Sequence, residues 1–430
     1  MAIRKIIKAI VIKKIWFHFI SYNLLVLFKF NFSFFDLSIK QIIIFNALNY
    51  ILIQARSSSS RLYNKIFLRL FRLPLIIFLY KRIASKKNKI YFLISNDLSD
   101  SYLSYLLKKY KINFFRSDLY NVKKRFTDFI KTVPKNSNII RLTADNPLID
   151  IGIIEYSLKV FRKNLFKYTY VNTSNSSIPY GISIEIFKAK ELTKKLKKNK
   201  LLDSKEHVTS DLKKFKTNQI DLPFFNKKIK VSIDYFSDYI NLKKIILKFK
   251  NPLSESWYSI CKKFIGINSI SKSKKKILCK SIFTKDLTKG NVIEIIKLKR
   301  DFWKYSYKSS MKHFEINYKK NDSHNLIYLG KELVGYSVFR KNFFKDNKKE
   351  SYIILDSVII KNKYKGFNLS SILMAFNNNF ILNNKKKSYL ICDKKLIKFY
   401  KQYFWKLVID KNLKLKEYKD NKKYIMSFDF

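Results

Sequence analysis

The residues best suited to do chemistry lie in one short string, Ile53-Gln54-Ala55-Arg56-Ser57-Ser58-Ser59-Ser60-Arg61-Leu62-Tyr63-Asn64-Lys65. A strand running into a loop of small hydroxyl residues, with Ser59 near its centre and Arg56, Arg61 and Lys65 around it, can turn backbone amides and three cations toward a polyphosphate. The Gly-x-x-x-x-Gly-Lys spacing of the usual P-loop is absent. A serine-rich surface loop with solvated bases is the plainer reading of the same string. Two other strings end in a carboxylate: Arg141-Leu142-Thr143-Ala144-Asp145 and Val231-Ser232-Ile233-Asp234. Aspartates at the carboxyl edge of one parallel sheet can share Mg²⁺, which takes one or two carboxylates together with phosphate oxygens and water. Either aspartate could equally cap the helix that follows it.

These residues need elements to position them. Apolar runs predict strands at Tyr50 to Gln54, Ile90 to Ile94, Ile112 to Phe115, Asn138 to Leu142, Tyr168 to Asn172 and Lys230 to Asp234. Helical patterns fall at Lys65 to Leu79, Ser101 to Tyr110 and Val122 to Lys131. Such alternation predicts an α/β fold, a mostly parallel sheet with helices on both faces, and a ligand at the carboxyl ends of the strands. After a Ser- and Lys-rich linker at 265–276, strands are expected at Ile277 to Phe283, Asn325 to Leu329, Glu332 to Arg340 and Ser351 to Lys361, with a hairpin at Gly330-Lys331. A helix from Leu369 to about Leu382, a strand at Ser388 to Cys392 and a helix at Lys394 to Phe404 complete the pattern. The domains are then a 1–47 extension, 48–264, the linker and 277–430.

Composition bounds the rest. With 430 residues, 47% hydrophobic and 16% aromatic, the chain has material for about two or three folded domains and is no disordered polyelectrolyte. The net charge of +58 would ordinarily suggest nucleic acid or an anionic membrane as partner. Only 7 glycines and 6 prolines accompany the abundant Lys, Asn, Ile and Phe, however, as in an AT-rich coding sequence. Lysine then spreads over every solvated face, and charge alone does not identify a partner. Cys261, Cys279 and Cys392 lack metal-ligand or disulfide spacing, which suits a reducing, cytoplasmic setting. Residues 1–47 are apolar but interrupted by His18 and Lys29, so the expectation is a peripheral membrane contact and no span.

Taken in order, the string from Gln54 to Lys65, Phe115-Arg116-Ser117 with Val122 and Arg125, Arg141 to Ile149, Pro179 to Glu185, Glu206-His207-Val208-Thr209, and Ile233-Asp234 with Asp238 resemble the cytidylyltransferases that make CMP-activated acidic sugars. The resemblance is nearest to those of spore-coat polysaccharide biosynthesis and covers about residues 48–250. It implies a Rossmann-like nucleotidyltransferase domain with CTP as substrate and Mg²⁺ as cofactor. By that resemblance Arg56 and Lys65 hold the triphosphate, Gln54 and Ala55 lie under the nucleotide, and Ser59, Arg61 and Arg141 complete the nucleotide site. Asp145 and Asp234 hold the metal, and Glu206 and His207 lie near the sugar; His207 also reads as an ordinary structural histidine. Where the family carries Pro-Gly, this chain has Tyr63-Asn64, and Asn tolerates positive φ better than most residues.

Residues 277–430 resemble the GNAT acetyltransferases, an α+β fold, through Ile354 to Ile360, Lys365-Gly366-Phe367-Asn368-Leu369-Ser370 opening a helix, and Phe399-Tyr400 with Phe404. By that resemblance the 365–370 loop binds acetyl-CoA as a co-substrate, and Tyr400 protonates the leaving thiolate. From spacing alone Tyr400 reads as one of an aromatic pair packing the last helix. The expected protein is a two-domain enzyme of surface-glycan synthesis acting on small-molecule sugar and nucleotide substrates, with a homodimer open to it. Activity of the first domain alone, or a non-catalytic basic protein on membrane or nucleic acid, are the competing readings.

Overall fold

A computed structural model describes residues 47–163, 168–170, 178–196, 208–210, 212, 217–219, 229–265, 274–346, 349–409, 413, 415–418 and 423–429. The extension, most of the linker, Glu206 and His207 lie outside the described residues. In chain order the first part runs β1 (Asn49–Gln54), β2 (Arg69–Leu70), β3 (Leu73–Pro74), α1 (Leu75–Ile83), β4 (Lys89–Ser95), α2 (Ser101–Lys109), β5 (Phe114–Ser117), α3 (Val122–Ile130), β6 (Asn138–Thr143) and α4 (Ile151–Lys163). It continues with β7 (Tyr168–Tyr170), β8 (Glu185–Lys188), α5 (Ala189–Leu196), β9 (Thr217–Gln219), α6 (Phe236–Ile246) and α7 (Trp257–Lys262). The second part is β10 (Ile277–Phe283), α8 (Lys289–Arg300), α9 (Tyr307–Asn317), β11 (Ser323–Leu329), β12 (Glu332–Phe343), β13 (Ser351–Ile360), α10 (Leu369–Asn384), β14 (Ser388–Cys392), α11 (Ile397–Lys401), β15 (Lys406–Leu407) and β16 (Tyr424–Phe428).

The first sheet has the order β5-β4-β1-β6-β8-β7-β9. β1, β4, β5 and β6 are mutually parallel, and β8 is antiparallel to both of its neighbours. Ile51, Leu52 and Ile53 of β1 are buried on both faces, which explains the unbroken apolar run of a central parallel strand. From β1 the chain moves to β4 on one side and later returns to β6 on the other, so the strand order reverses between β1 and β6. The carboxyl ends part there, leaving a crevice.

Some elements depart from the sequence pattern for local reasons. The helix expected from Lys65 is a single 3-10 turn at Lys65–Phe67 followed by the β2–β3 hairpin, whose Phe71 and Arg72 both take positive φ. Pro74 then sets the start of α1, because its missing N–H costs nothing at a helix entrance. The strand expected at Ile112 begins two residues later: Lys111 is left-handed, and the Ile112 amide still bonds Leu107 of α2. Residues 230–234 form no ladder. The Val231 amide donates to Tyr180 O and the Ile233 amide to Asp145 O, so the segment bonds two different partners in turn.

The second sheet has the order β10-β11-β12-β13-β14-β16-β15. Its β11–β12 hairpin closes through Gly330, at φ +64°. β13 and β14 are parallel but share only the pairs Ile353↔Ser388 and Ile354↔Tyr389, so beyond these the strands separate. The helix expected from Lys394 is a 3-10 turn and the short α11, and Phe404 at φ 68° closes the turn that follows.

One apolar core joins the helical layer of the first sheet to the second: Leu62, Ile66 and Phe67 pack in the same cluster as Leu369, Ile372 and Trp405. Complete burial of side chains of this size contributes about 1.5–3 kcal/mol each. Among the described residues no helix is long and apolar enough to cross a membrane.

The crossing of 179–184 over 229–234 depends on Gly181. Its φ is +109°, and a Cβ there would stand 2.4 Å from the Ser232 amide nitrogen. Gly181→Ala should therefore cost about 1–3 kcal/mol in urea unfolding; a variant as stable as the parent would show that the crossing relaxes freely.

Candidate active site

The serine-rich loop leaves β1 at Gln54 and is held by its own sheet before it reaches solvent. The Ala55 amide donates to Leu93 O (3.1 Å), and the Ser57 amide donates to the wholly buried Asp100 carboxylate (2.7 Å). Asp100 also accepts from the Ser95 amide (2.9 Å) and hydroxyl (2.7 Å), so one carboxylate ties the end of β4 to the loop. Arg125, also buried, donates to Ala55 O (3.1 Å) and Leu93 O (3.2 Å); burial lowers its guanidinium to about 10. Arg116 likewise bonds main chain, at Ser95 O (3.0 Å) and Asp97 O (3.1 Å). Two of the five motif arginines thus brace the strand ends.

Asn64 takes the left-handed conformation (φ 57°, ψ 22°) and turns the chain into the 3-10 turn that begins at Lys65. The Lys65 ammonium, almost wholly buried, donates to Asp145 Oδ2 (2.8 Å) and Ile233 O (2.9 Å). Burial pushes the Asp145 carboxyl up, but the Lys65 charge and hydrogen bond outweigh it and hold the group below the usual carboxylate range. Because the Ile233 amide donates to Asp145 O (2.9 Å), the segments carrying Asp145 and Asp234 adjoin. Asp234 meets Arg61 Nη2 (2.7 Å) and Lys230 Nζ (3.0 Å). Asp238, at the start of α6, accepts from the Asp234 (3.0 Å) and Tyr235 (2.8 Å) amides, fixing the chain direction there.

A cavity of ≈ 290 Å³ opens at the β1/β6 crevice, and Gln54, Ala55, Arg56, Ser59, Arg61, Lys65 and Arg141 line it together with Asp145. Arg141 pairs with Glu185 and donates to Gln54 Oε1 (2.9 Å), so it fixes the Gln54 amide at the cavity floor. Glu185 also accepts from Tyr168 (3.1 Å) and Thr209 (2.8 Å). Cations outnumber carboxylates around the space, an arrangement suited to a polyphosphate. Among the described residues no three His, Cys, Asp or Glu side chains converge as a metal centre, so Asp145 and Asp234 would leave most of a cation's coordination to phosphate oxygen and water.

The second set of sequence-derived residues lies elsewhere. In the 365–370 segment Gly366 has φ +81° and its carbonyl accepts from Lys243, while Asn368 (φ 58°) donates to Arg69 O (3.1 Å) and Tyr239 Oη (2.7 Å). Lys365 lies over the Phe302 ring, 4.5 Å from its centroid. Leu369 is buried at the start of α10. Tyr400 is buried on α11, edge-on to Phe399, and burial, then Cys392 and Asp356, raise its phenol above the ordinary value. A second cavity, of ≈ 450 Å³, is lined by Trp303, Tyr305, His313 and Asp356 among others, beside the bulge of β13 where Ser357 has φ 53°.

Sequence reading assigned no role to Asp100, Lys230 or Glu185, and placed Arg125 in a motif without one. An arginine on the apolar face of α3, beside Val122, Phe126 and Phe129, was the available signal for Arg125. Nothing in the spacing of Asp100 indicates a partner 43 residues away.

Residues 50–260 match the family described as cytidylyltransferase. An uncharacterized protein of Methanocaldococcus jannaschii is 31% identical over 204 residues, covering 45% of this chain and 82% of that protein. The spore coat polysaccharide biosynthesis protein SpsF of Bacillus subtilis is 27% identical over 210 residues, covering 46% of this chain and 85% of that protein. A solved cytidylyltransferase from Leptospira borgpetersenii aligns with a TM-score of 0.48 at 26% identity, over 53% of this chain and 99% of that one.

The depressed Asp145 pKa makes the Lys65 pair a source of stability above the unfolded carboxyl value of about 3.9, lost as pH falls through the folded value. Lys65→Met should cost about 1–3 kcal/mol at pH 7 and less at pH 2, by urea unfolding at both. An equal loss at the two pH values would reject the ionic contribution.

Proposed function

Because the chain belongs to the cytidylyltransferase family, we propose that its first sheet transfers CMP from CTP to a hydroxyl of an acidic, nonulosonate-like sugar. The observation that carries this reading is the placement of Lys65 against Asp145 inside a cation-lined cavity at the strand-order reversal. The sugar hydroxyl attacks the α-phosphorus and gives its proton to solvent, the bond from that phosphorus to the bridging oxygen breaks, and pyrophosphate departs in line. Arg56 and Lys65 bear on the phosphate oxygens, Arg61 closes over them, Gln54 and Ala55 support the base, and Ser59 supplies a hydroxyl. Arg141 works through Gln54. Glu206 and His207 belong on the sugar side.

Asp145 and Asp234 offer hard oxygen ligands on adjoining segments, each now held by a cation that a triphosphate can draw away, and this donor set fits Mg²⁺. The chemistry magnesium supplies there is neutralisation of charge on the phosphate oxygens. CTP-dependent pyrophosphate release with keto-acid sugars should fall by about 100-fold in Asp145→Asn. Unchanged release in that variant would reject the metal-ligand role.

For the second sheet the supported reading is acetyl transfer from acetyl-CoA to a related amino sugar. Asp356 lines the ≈ 450 Å³ cavity beside the β13 bulge, and the 365–370 segment leads into α10, where helix amides favour phosphate. The amine attacks the thioester carbonyl, the carbon–sulfur bond breaks, the Tyr400 hydroxyl gives its proton to the leaving thiolate, and the proton shed by the acylated nitrogen returns to the phenolate through water. Tyr400→Phe should lower kcat for thiol release by about 100-fold with little change in the KM for acetyl-CoA. A KM effect with kcat intact would make Tyr400 a packing residue.

A further inference from the structure

The nucleotide loop is held from two sides, and the second side belongs to the other sheet. The Ile277 amide of β10 donates to Arg61 O (3.1 Å), and the Tyr63 amide donates to Ile277 O (3.2 Å), so the loop bridges in parallel to the first residue of β10. One residue on, Asn64 Nδ2 donates to Ile372 O of α10 (3.4 Å). The Tyr63 ring stands edge-on to Phe376 of α10, with centroids 5.9 Å apart and planes at 86°. Burial raises the Tyr63 phenol to about 12.

The same helix grips the segment that anchors the loop's other end. Asn379 Oδ1 accepts from the Tyr102 amide (3.0 Å), and Asn383 donates to Leu98 O (3.2 Å), on either side of Asp100. The first domain alone therefore does not determine where Lys65 stands. Ile372, Phe376, Asn379 and Asn383 recur at spacings of four, three and four, which puts them on one face of α10.

We infer that Tyr63 and Asn64 are positioning residues for cytidylyl transfer, through which α10 and β10 of the second sheet hold the triphosphate loop in its working conformation. This rests on the reading of the loop as the CTP site. Left-handed geometry at position 64 could be met by glycine alone. Asparagine adds the amide that reaches Ile372, and tyrosine at 63 adds the ring that meets Phe376.

The test uses the full chain. Asn64→Gly keeps the left-handed turn and removes the amide, and Phe376→Leu removes the ring under Tyr63. Phe380→Leu is the control: Phe380 lies on the same helix but stacks on Phe339 within the second sheet, with centroids 4.8 Å apart. Amide hydrogen exchange of the peptide spanning 57–67, without nucleotide, should speed up by about tenfold in Asn64→Gly and Phe376→Leu and by less than about twofold in Phe380→Leu. With CTP and a keto-acid sugar, kcat/KM for CTP should fall by about tenfold in the first two only.

Equal exchange in all three variants and the parent would overturn the inference, as would loss of kcat/KM that merely follows the thermal melting of each variant. Selective exchange in a chain that never turns over CTP would leave the positioning contact standing and reject the nucleotide reading instead.

Discussion

A lysine ammonium that is almost wholly buried must find oxygen, and much of this molecule serves that requirement at Lys65. One oxygen comes from Asp145 at the end of β6, the other from the Ile233 carbonyl. These partners lie 80 and 168 residues away, so the contact forms only if β1 and β6 are neighbours and the 229–234 segment crosses beside them. The pair also readies the site. On the proposed reading, an ionised carboxylate and a cation held together in partial burial can each take a new partner on binding, so little charge has to be created.

The supports around this pair divide into inner and outer groups. Asp100 and Arg125 secure the base of the loop from within its own sheet, and Arg141 with Glu185 secures Gln54. The outer support comes from β10 and α10, beside an apolar cluster that residues of both parts share. The second sheet is therefore part of the mechanical surroundings of the serine-rich loop.

Much of the architecture was legible because its cause is local. The apolar run of β1, the helices over 101–109 and 122–130, and the hairpin at Gly330 follow from periodicity and turn chemistry acting within a few residues. Where the reading slipped, local backbone conformation or the lack of one continuous strand partner was responsible. Positive φ at Phe71 and Arg72 made a hairpin of what read as the middle of a helix, and a left-handed Lys111 delayed β5. The 230–234 segment looked like a strand because strand-like composition records burial, while a ladder requires one continuous partner.

For the site, the amino-acid sequence by itself determined the chemical inventory: a hydroxyl-rich loop with Arg56, Arg61 and Lys65, two carboxylates after apolar runs, and an asparagine able to take positive φ. Those properties reside in side-chain type and short-range order, and no fold is needed to recognise them. Only the tertiary structure decided which arginines face the cavity and which only brace the backbone, since Arg116 and Arg141 differ in what surrounds them and not in kind. It also decided that Tyr63 and Asn64 meet a helix more than 300 residues onward. Contacts at such separation arise from how whole elements pack, and no window of sequence contains both partners.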